Sequence, residues 1–384
     1  MLLMKNNSLI VQYIFGLFLG IYTYLFYFIL PKVSSLYDAA LNVTFMGFIV
    51  FILVSSYLFH GDFKEYIKSE RYVILFLLLW FLITFVGYGL KGIFIENPEY
   101  YSFFARNYFY LTMIFLFVSM VKKDVINRML VSVYIIYFIY GLYLIPTLFE
   151  AQKLGITPIV NKNVVGFFIL PTLAYIFMKL NSHIKWMVLW YIIGIGILYL
   201  TGARTSLFSF ILLPIMIIGM KVMKNKLRLF YVLYVSLGLL TVFILTYVVF
   251  PKYEEINLLF TNRIFLWQIY IDHIINSNAL FTGIGRIVVP EILGPNGVMT
   301  TLHPHNQFIT ILLFNGLVGL TLYLLFILFS IPKQVESLKP ADGVIFVLIT
   351  IQFSESIIPF FDFFFISFIF VVNLFINRSL HKSV

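Results

Sequence analysis

Apolar runs follow one another along this chain, and several are long enough to cross a bilayer as a helix. The run from Phe308 to Ser330 contains no charged residue. At ~1.5 Å per residue it exceeds the ~20 residues that span ~30 Å of hydrocarbon. The runs 203–220 and 229–250 are of the same kind, with Arg204 the only charge in either. Inside a membrane no water satisfies backbone N–H and C=O groups, so a continuous apolar run is constrained to be helical. Hydropathy gives about twelve spans, near 9–30, 41–59, 72–90, 104–121, 129–149, 163–179, 185–201, 203–220, 229–250, 308–330, 342–360 and 361–377. The expected fold is therefore an all-α, polytopic transmembrane helical bundle, with residues 1–384 forming a single integral membrane domain. The first run is too long, and lacks a small-residue cleavage site, to be a removable signal peptide. The boundaries near Thr201–Ala203 and Phe360–Asp362 leave almost no room for a loop.

Composition agrees with this class. Hydrophobic residues make up 62% of the chain and charged residues 11%, against roughly 25% charged in an ordinary soluble domain. The absence of cysteine excludes thiol catalysis, disulfides and cysteine metal sites. The net charge of +10 is of the size that attracts nucleic acid, but its distribution points elsewhere. Basic residues cluster on alternate connections, at Lys64, Lys68 and Arg71, at Lys122, Lys123 and Arg128, and at Lys221, Lys224, Lys226 and Arg228. The intervening connections carry them more sparsely. That alternation is the positive-inside bias expected if both termini are cytoplasmic, and no nucleic-acid partner is expected.

The longest connection, residues 251–306 between the ninth and tenth spans, falls on the outer side under this topology. Within it, Arg263 to His273 has Phe265, Ile269 and Asp272, or Leu266, Ile269 and His273, at helical spacing. This pattern predicts a partly amphipathic helix along the interface. The adjacent Asp272 and His273 point about 100° apart on a helix and read as a solvated pair.

The loop ends in Leu302-His303-Pro304-His305-Asn306-Gln307, directly before the apolar run from Phe308. Two histidines are thereby expected at a membrane–water boundary, where imidazole is the side chain best suited to general base work near neutral pH. Pro304 favours an extended geometry that sends the two rings to opposite sides. Arg204, at the outer end of two nearly continuous spans, needs a partner, an aqueous cavity or headgroup phosphates. Glu355 near the outer end of one span and Asp362 at the start of the next are candidates for pairing with an arginine or steering His305. Arg106, Lys162 and Arg286 are outer basic residues with a topological role or a place along the path of an anionic ligand.

Three pieces occur in order: Thr201-Gly202-Ala203-Arg204-Thr205-Ser206; Arg263 leading to Gly283-Ile284-Gly285; and His303-Pro304-His305-Asn306 followed by Gly316-Leu317-Val318-Gly319. Together they resemble the bacterial O-antigen polymerase and O-antigen ligase superfamily, with the resemblance resting on residues 201–320. The resemblance implies a metal-independent glycosyltransferase without a cofactor, in the bacterial inner membrane, with its active site on the periplasmic side. It implies undecaprenyl-pyrophosphate-linked glycan as substrate, the bilayer as surroundings and a chain-length regulator as an additional partner. By match to the family, His305 is the catalytic base, Arg204, Arg263 and His303 bind substrate or pyrophosphate, and Asn306 binds a sugar hydroxyl of the substrate or orients the ring. Residues 251–306 then form an extracytoplasmic loop carrying part of the active site. The favoured activity is polymerisation of lipid-linked repeat units. The alternative is ligation of the glycan to lipid A–core, and a lipid-linked sugar flippase or transporter is more distant because the sequence shows neither charged residues near the bilayer midplane nor a duplicated half.

Overall fold

The computed structural model describes residues 9–21, 49–59, 63–90, 114–154, 162–253, 255, 263–284, 292–293, 299–300, 305–355 and 364–381. Its helices, in chain order, are α1 (Leu9–Ile21), α2 (Ile49–Leu58), α3 (Phe63–Leu90), α4 (114–120), α5 (Lys123–Leu154), α6 (Lys162–Lys179), α7 (Ile184–Thr201), α8 (Arg204–Val222), α9 (Leu227–Ile244), α10 (Arg263–Asn276), α11 (Gln307–Ser330), α12 (Pro340–Ile351) and α13 (Phe364–Leu380). Each expected run contains described helix. Among the described residues six helices are long and apolar enough to cross a membrane: α5, α6 with the short turn that follows it, α7, α8, α9 with its extension to Val249, and α11. The fold of the described residues is all-helical apart from a small antiparallel ladder in the loop, β1 (Ile292–Leu293) with β2 (Met299–Thr300). The sequence between the strands, Gly294-Pro295-Asn296-Gly297, has the residues that reverse a chain.

Helix α6 is the centre of the bundle, packed against α5, α7, α8 and α12. Its apolar residues do not fall on one face, and it is buried from Val164 through Ala174 without interruption, as expected of a helix hydrophobic all round. Gly166 lets the neighbouring helix approach: a Cβ there would lie 2.4 Å from that of Ala203 and 2.7 Å from Ser206 Oγ. Helices α7 and α9 lie at the periphery and expose Trp186, Ile192 and Tyr199, and Leu237 and Phe243. In water that apolar surface would be a liability; against lipid it is the ordinary outer face of a bundle.

Helix α3 starts nine residues before the expected run, at Phe63, and departs from helical geometry at Glu70 (φ −111°, ψ 18°). The extra turns carry Lys64, Glu65 and Lys68, so hydropathy alone misses them. Helix α10 forms where expected, but its buried face is different. Ile264, Trp267, Tyr270 and Ile274 are inside, packed with Val242 of α9 and Ile309 and Leu313 of α11. A 264/267/270/274 stripe has the helical repeat, and helix packing rather than an interface decides which stripe is used. Asp272, expected to be solvated, accepts a 2.9 Å hydrogen bond from Tyr247 Oη at the end of α9.

Polar residues gather at the two ends of the bundle. At one end Lys221 Nζ donates to Asn181 Oδ1 (2.9 Å), Val335 N to Lys224 O (2.9 Å) and Arg228 Nη2 to Ile331 O (3.0 Å), and His381 Nε2 lies 3.2 Å from Asp342 Oδ2. All of these belong to connections expected on the same side. The candidate site forms at the other end.

Helix α11 is continuous in sequence pattern but broken in geometry. Gly316 has φ 63° and ψ −166°, and there Ile284 N donates to Leu313 O (2.6 Å) and Leu317 N to Leu280 O (2.8 Å). The turn after α10 thus satisfies backbone groups that the break leaves open. Residues 307–315 become a half-helix whose start faces the site.

Candidate active site

Four helix beginnings and one helix end supply the site. Helix α7 ends at Thr201 because Gly202 takes the left-handed conformation (φ 67°) of a C-cap, and its N–H bonds back to Tyr199 O. Helix α8 then begins immediately at Arg204, with no side chain capping its first N–H groups. This is the near-loopless boundary seen in the sequence, and it is a true break. Arg204 is exposed. Close by, the exposed Lys162 at the start of α6 runs its side chain past Gly202, whose absent Cβ would lie 3.6 Å from Lys162 Cδ.

Helix α12 has 12 residues and rises only ~18 Å, well short of ~30 Å of hydrocarbon. The turn that follows carries Ser354 and Glu355 among the ends of the other helices. Glu355 is 3% exposed and sits at the centre of the network. Its Oε1 accepts from Arg263 Nη2 (2.5 Å) and from Asn163 Nδ2 (2.8 Å), and its Oε2 lies 3.2 Å from His305 Nδ1. Arg263 also donates from Nη1 to Ser354 O and, at 3.5 Å, to Thr205 Oγ1; Ser354 Oγ donates to Thr205 Oγ1 at 3.0 Å. Residues from α6, α8, α10, the turn after α12 and the start of α11 thereby meet around one carboxylate.

A carboxylate only accepts, so the Glu355 contact requires His305 Nδ1 to carry its proton. Nε2 is then the lone-pair nitrogen, and among the described residues no protein group bonds to it. The ring is 36% exposed. His305 has a positive φ of 47°, a conformation uncommon outside glycine and found at sites where the surroundings impose it. The expected extended geometry therefore does not reach His305, because the chain turns there to enter the helix.

Asn306, expected to bind a sugar hydroxyl or orient the ring, is fully buried with both its amide oxygen and its amide nitrogen bonded. Its Oδ1 caps α11 by accepting from Phe308 N (3.0 Å) and Ile309 N (3.1 Å), and its Nδ2 donates to Phe353 O (2.7 Å). Gln307 N reaches Gln352 O at 2.8 Å. Asn306 thus ties the half-helix to the turn bearing Glu355 and sets the position of its neighbour His305. Arg263, at the start of the helix expected along the interface, is mostly buried, with a side-chain exposure of 14%. Burial pushes the Tyr270 phenol on the same helix up to about 12, so it is neutral near physiological pH and fills space in α10's packed face.

His303, Gly285, Arg286, Arg106 and Asp362 lie outside the described residues. Of the residues that meet at the site, Asn163 and Ser354 were not singled out by sequence, since one polar residue beside an apolar run is common. Glu355 was legible as an acidic residue at the edge of an apolar run, where an ionisable group is a functional hypothesis by default.

The fold and site together define a polytopic helical membrane protein with an imidazole, its buried carboxylate partner and exposed cations at one end. A family model described as O-antigen ligase matches residues 189–324, from the middle of α7 to the second half of α11. That match supports the O-antigen polymerase and ligase superfamily and covers Arg204, Arg263, His305 and Asn306, while Asn163 and Glu355 fall outside it. No curated protein matches the chain.

Proposed function

We propose that the protein is a membrane glycosyltransferase that polymerises lipid-linked repeat units of the O-antigen type. It would move a glycan from undecaprenyl pyrophosphate to a sugar hydroxyl of another lipid-linked repeat. The observation that carries this reading is His305, bonded at Nδ1 to a buried carboxylate and without a partner at Nε2 among the described residues. In the reaction the acceptor hydroxyl gives its proton to Nε2 while its oxygen attacks the anomeric carbon. The bond from that carbon to the pyrophosphate oxygen breaks, and the electron pair leaves with the pyrophosphate.

The leaving group needs charge stabilisation more than protonation. Arg204 offers a planar fork suited to phosphate oxygens, at an uncapped helix start whose N–H groups favour an anion. Lys162 adds a second cation beside it. Arg263 is assigned to the same anion through its remaining exposed edge, and His303 to the substrate side of the loop. In this reading fixed cations hold the developing charge without a metal. The site lies on the periplasmic side of the inner membrane, within about twelve crossings and with both termini cytoplasmic. A chain-length regulator is a fitting partner for such a polymerase.

The ligase reading, in which the finished chain passes to lipid A–core, shares the donor and the same residues, and the family match accommodates it equally. Both are tested by glycan profiling of cells lacking the protein and complemented with wild type or His305→Ala. Single repeats on the envelope acceptor mark a lost polymerase. Full-length chains stranded on the carrier lipid mark a lost ligase. A wild-type profile from well-inserted His305→Ala would overturn the general base.

A further inference from the structure

We infer that Glu355 is the positioning residue of the site, fixing the tautomer and direction of His305, and that Arg263 serves it as counter-charge. The inference rests on the proposed role of His305 as base. The carboxylate divides its work between two oxygens: Oε1 takes Arg263 and Asn163, and among the described residues Oε2 faces only the imidazole. With Oε1 anchored from α10 and α6, Oε2 has one direction, and that direction places the Nδ1 proton.

Three consequences follow for catalysis. The lone pair is confined to Nε2, on the side of the ring away from Glu355. When Nε2 takes the acceptor's proton, the imidazolium so formed lies 3.2 Å from a carboxylate, which stabilises it without moving the proton on. The carboxylate is itself held against a buried guanidinium, so it is present before substrate arrives and needs no rearrangement during the step. Among the described residues, the charged groups on the elements around His305 include Glu355 after α12, Arg263 and Asp272 on α10, Arg204 on α8 and Lys162 on α6. Asp272 accepts from Tyr247 Oη, and Glu355 is the carboxylate within reach of Nδ1.

The decisive variant is Glu355→Gln, which keeps the shape. Its amide oxygen can still accept from Arg263 and Asn163, but its amide nitrogen then faces Nδ1 as a donor. His305 would have to accept there and carry its proton on Nε2, the tautomer that cannot act as base. The full-length protein is assayed in lipid nanodiscs with the lipid-linked repeat unit extracted from cells that lack it. The expected result is a kcat about 10²- to 10⁴-fold below wild type, the range for loss of a positioned base or of its tautomer, with KM within about threefold. Glu355→Asp, which keeps a carboxylate one methylene shorter, is expected between the two.

A Glu355→Gln rate near wild type, with His305→Ala inactive, overturns the positioning role and leaves the base assignment standing. An active His305→Ala removes the base assignment and this inference with it. A loss in KM alone would make Glu355 a substrate-binding scaffold and also overturn the inference. If Glu355→Gln does not insert, Glu355→Asp decides: full wild-type kcat overturns the inference, and a reduced kcat at unchanged KM supports it.

Discussion

Gly283 and Gly316 meet backbone to backbone. A Cβ on Gly316 would lie 2.5 Å from Gly283 N and 2.3 Å from Phe281 C, and one on Gly283 would lie 2.4 Å from Phe314 C. Both glycines have positive φ. The contact wedges the turn after α10 into the break of α11, so that the helix bearing Arg263 and the half-helix following His305 are held by one joint.

That joint predicts an effect on activity from residues that touch no substrate. Gly316→Ala adds strain of about 1–3 kcal/mol for a backbone region that is essentially glycine-only, and on top of it a clash with main-chain atoms that no rotamer relieves. Thermal unfolding of the purified variant in nanodiscs should show a lowered transition, and glycan transfer should fall with it. Gly196→Ala, at a position with nothing within 4 Å of the added carbon, is the control and should behave as wild type.

Asn306 caps α11 and also bonds Phe353 O, so its loss should be felt twice. Asn306→Ala removes a cap, about 1 kcal/mol in ordinary settings, and leaves the half-buried Phe353 carbonyl without this donor. Asn306→Asp keeps the cap oxygen but places a carboxylate near that carbonyl. Both variants are expected to be less stable, and Asp should not restore transfer. An Asn306→Asp variant with wild-type stability and activity would show that the cap alone matters.

Arg204 is exposed, in contrast to Arg263, and the two should separate in experiment. Arg204→Lys is expected to insert and unfold like wild type while transferring glycan poorly, because a point charge replaces a bidentate fork. Near-normal transfer by a well-expressed Arg204→Lys would argue that the side chain only reaches headgroup phosphates.

The helical class was legible because bilayer-length apolar runs leave the backbone little choice, and the break at Gly202 was legible as a boundary without a loop. The half-helix of α11 was legible only in part: Gly316 and Gly319 read as a place of close packing or a bend within the run 308–330, while the full break depends on a turn some thirty residues earlier in the chain. At the site, His305 and Arg204 stood out as polar groups at span ends. Asn306 stood out equally, yet its side chain is turned inward: sequence marks a polar residue before a helix but does not distinguish a cap from a ligand. The sharing of Glu355 between Arg263 and His305 requires the turn after α12 to meet the starts of α10 and α11, and no spacing within the sequence encodes that meeting.

Arg263 and Glu355 form a mostly buried ion pair, and the two should be strongly coupled. Arg263→Ala leaves the carboxylate buried with Asn163 and His305 as its remaining partners, and breaking such a pair typically costs 3–5 kcal/mol. The double variant Arg263→Ala/Glu355→Ala removes both charges and should lose less than the sum of the single changes, giving a coupling energy of about 1–3 kcal/mol in a double-mutant cycle. Transfer activity should follow a different order, because restoring charge balance does not restore the partner of His305 Nδ1. The double variant is therefore expected to be more stable than Arg263→Ala and still inactive. Strict additivity of the two stability losses, read from chemical or thermal unfolding, would mean that the pair is not coupled in the membrane.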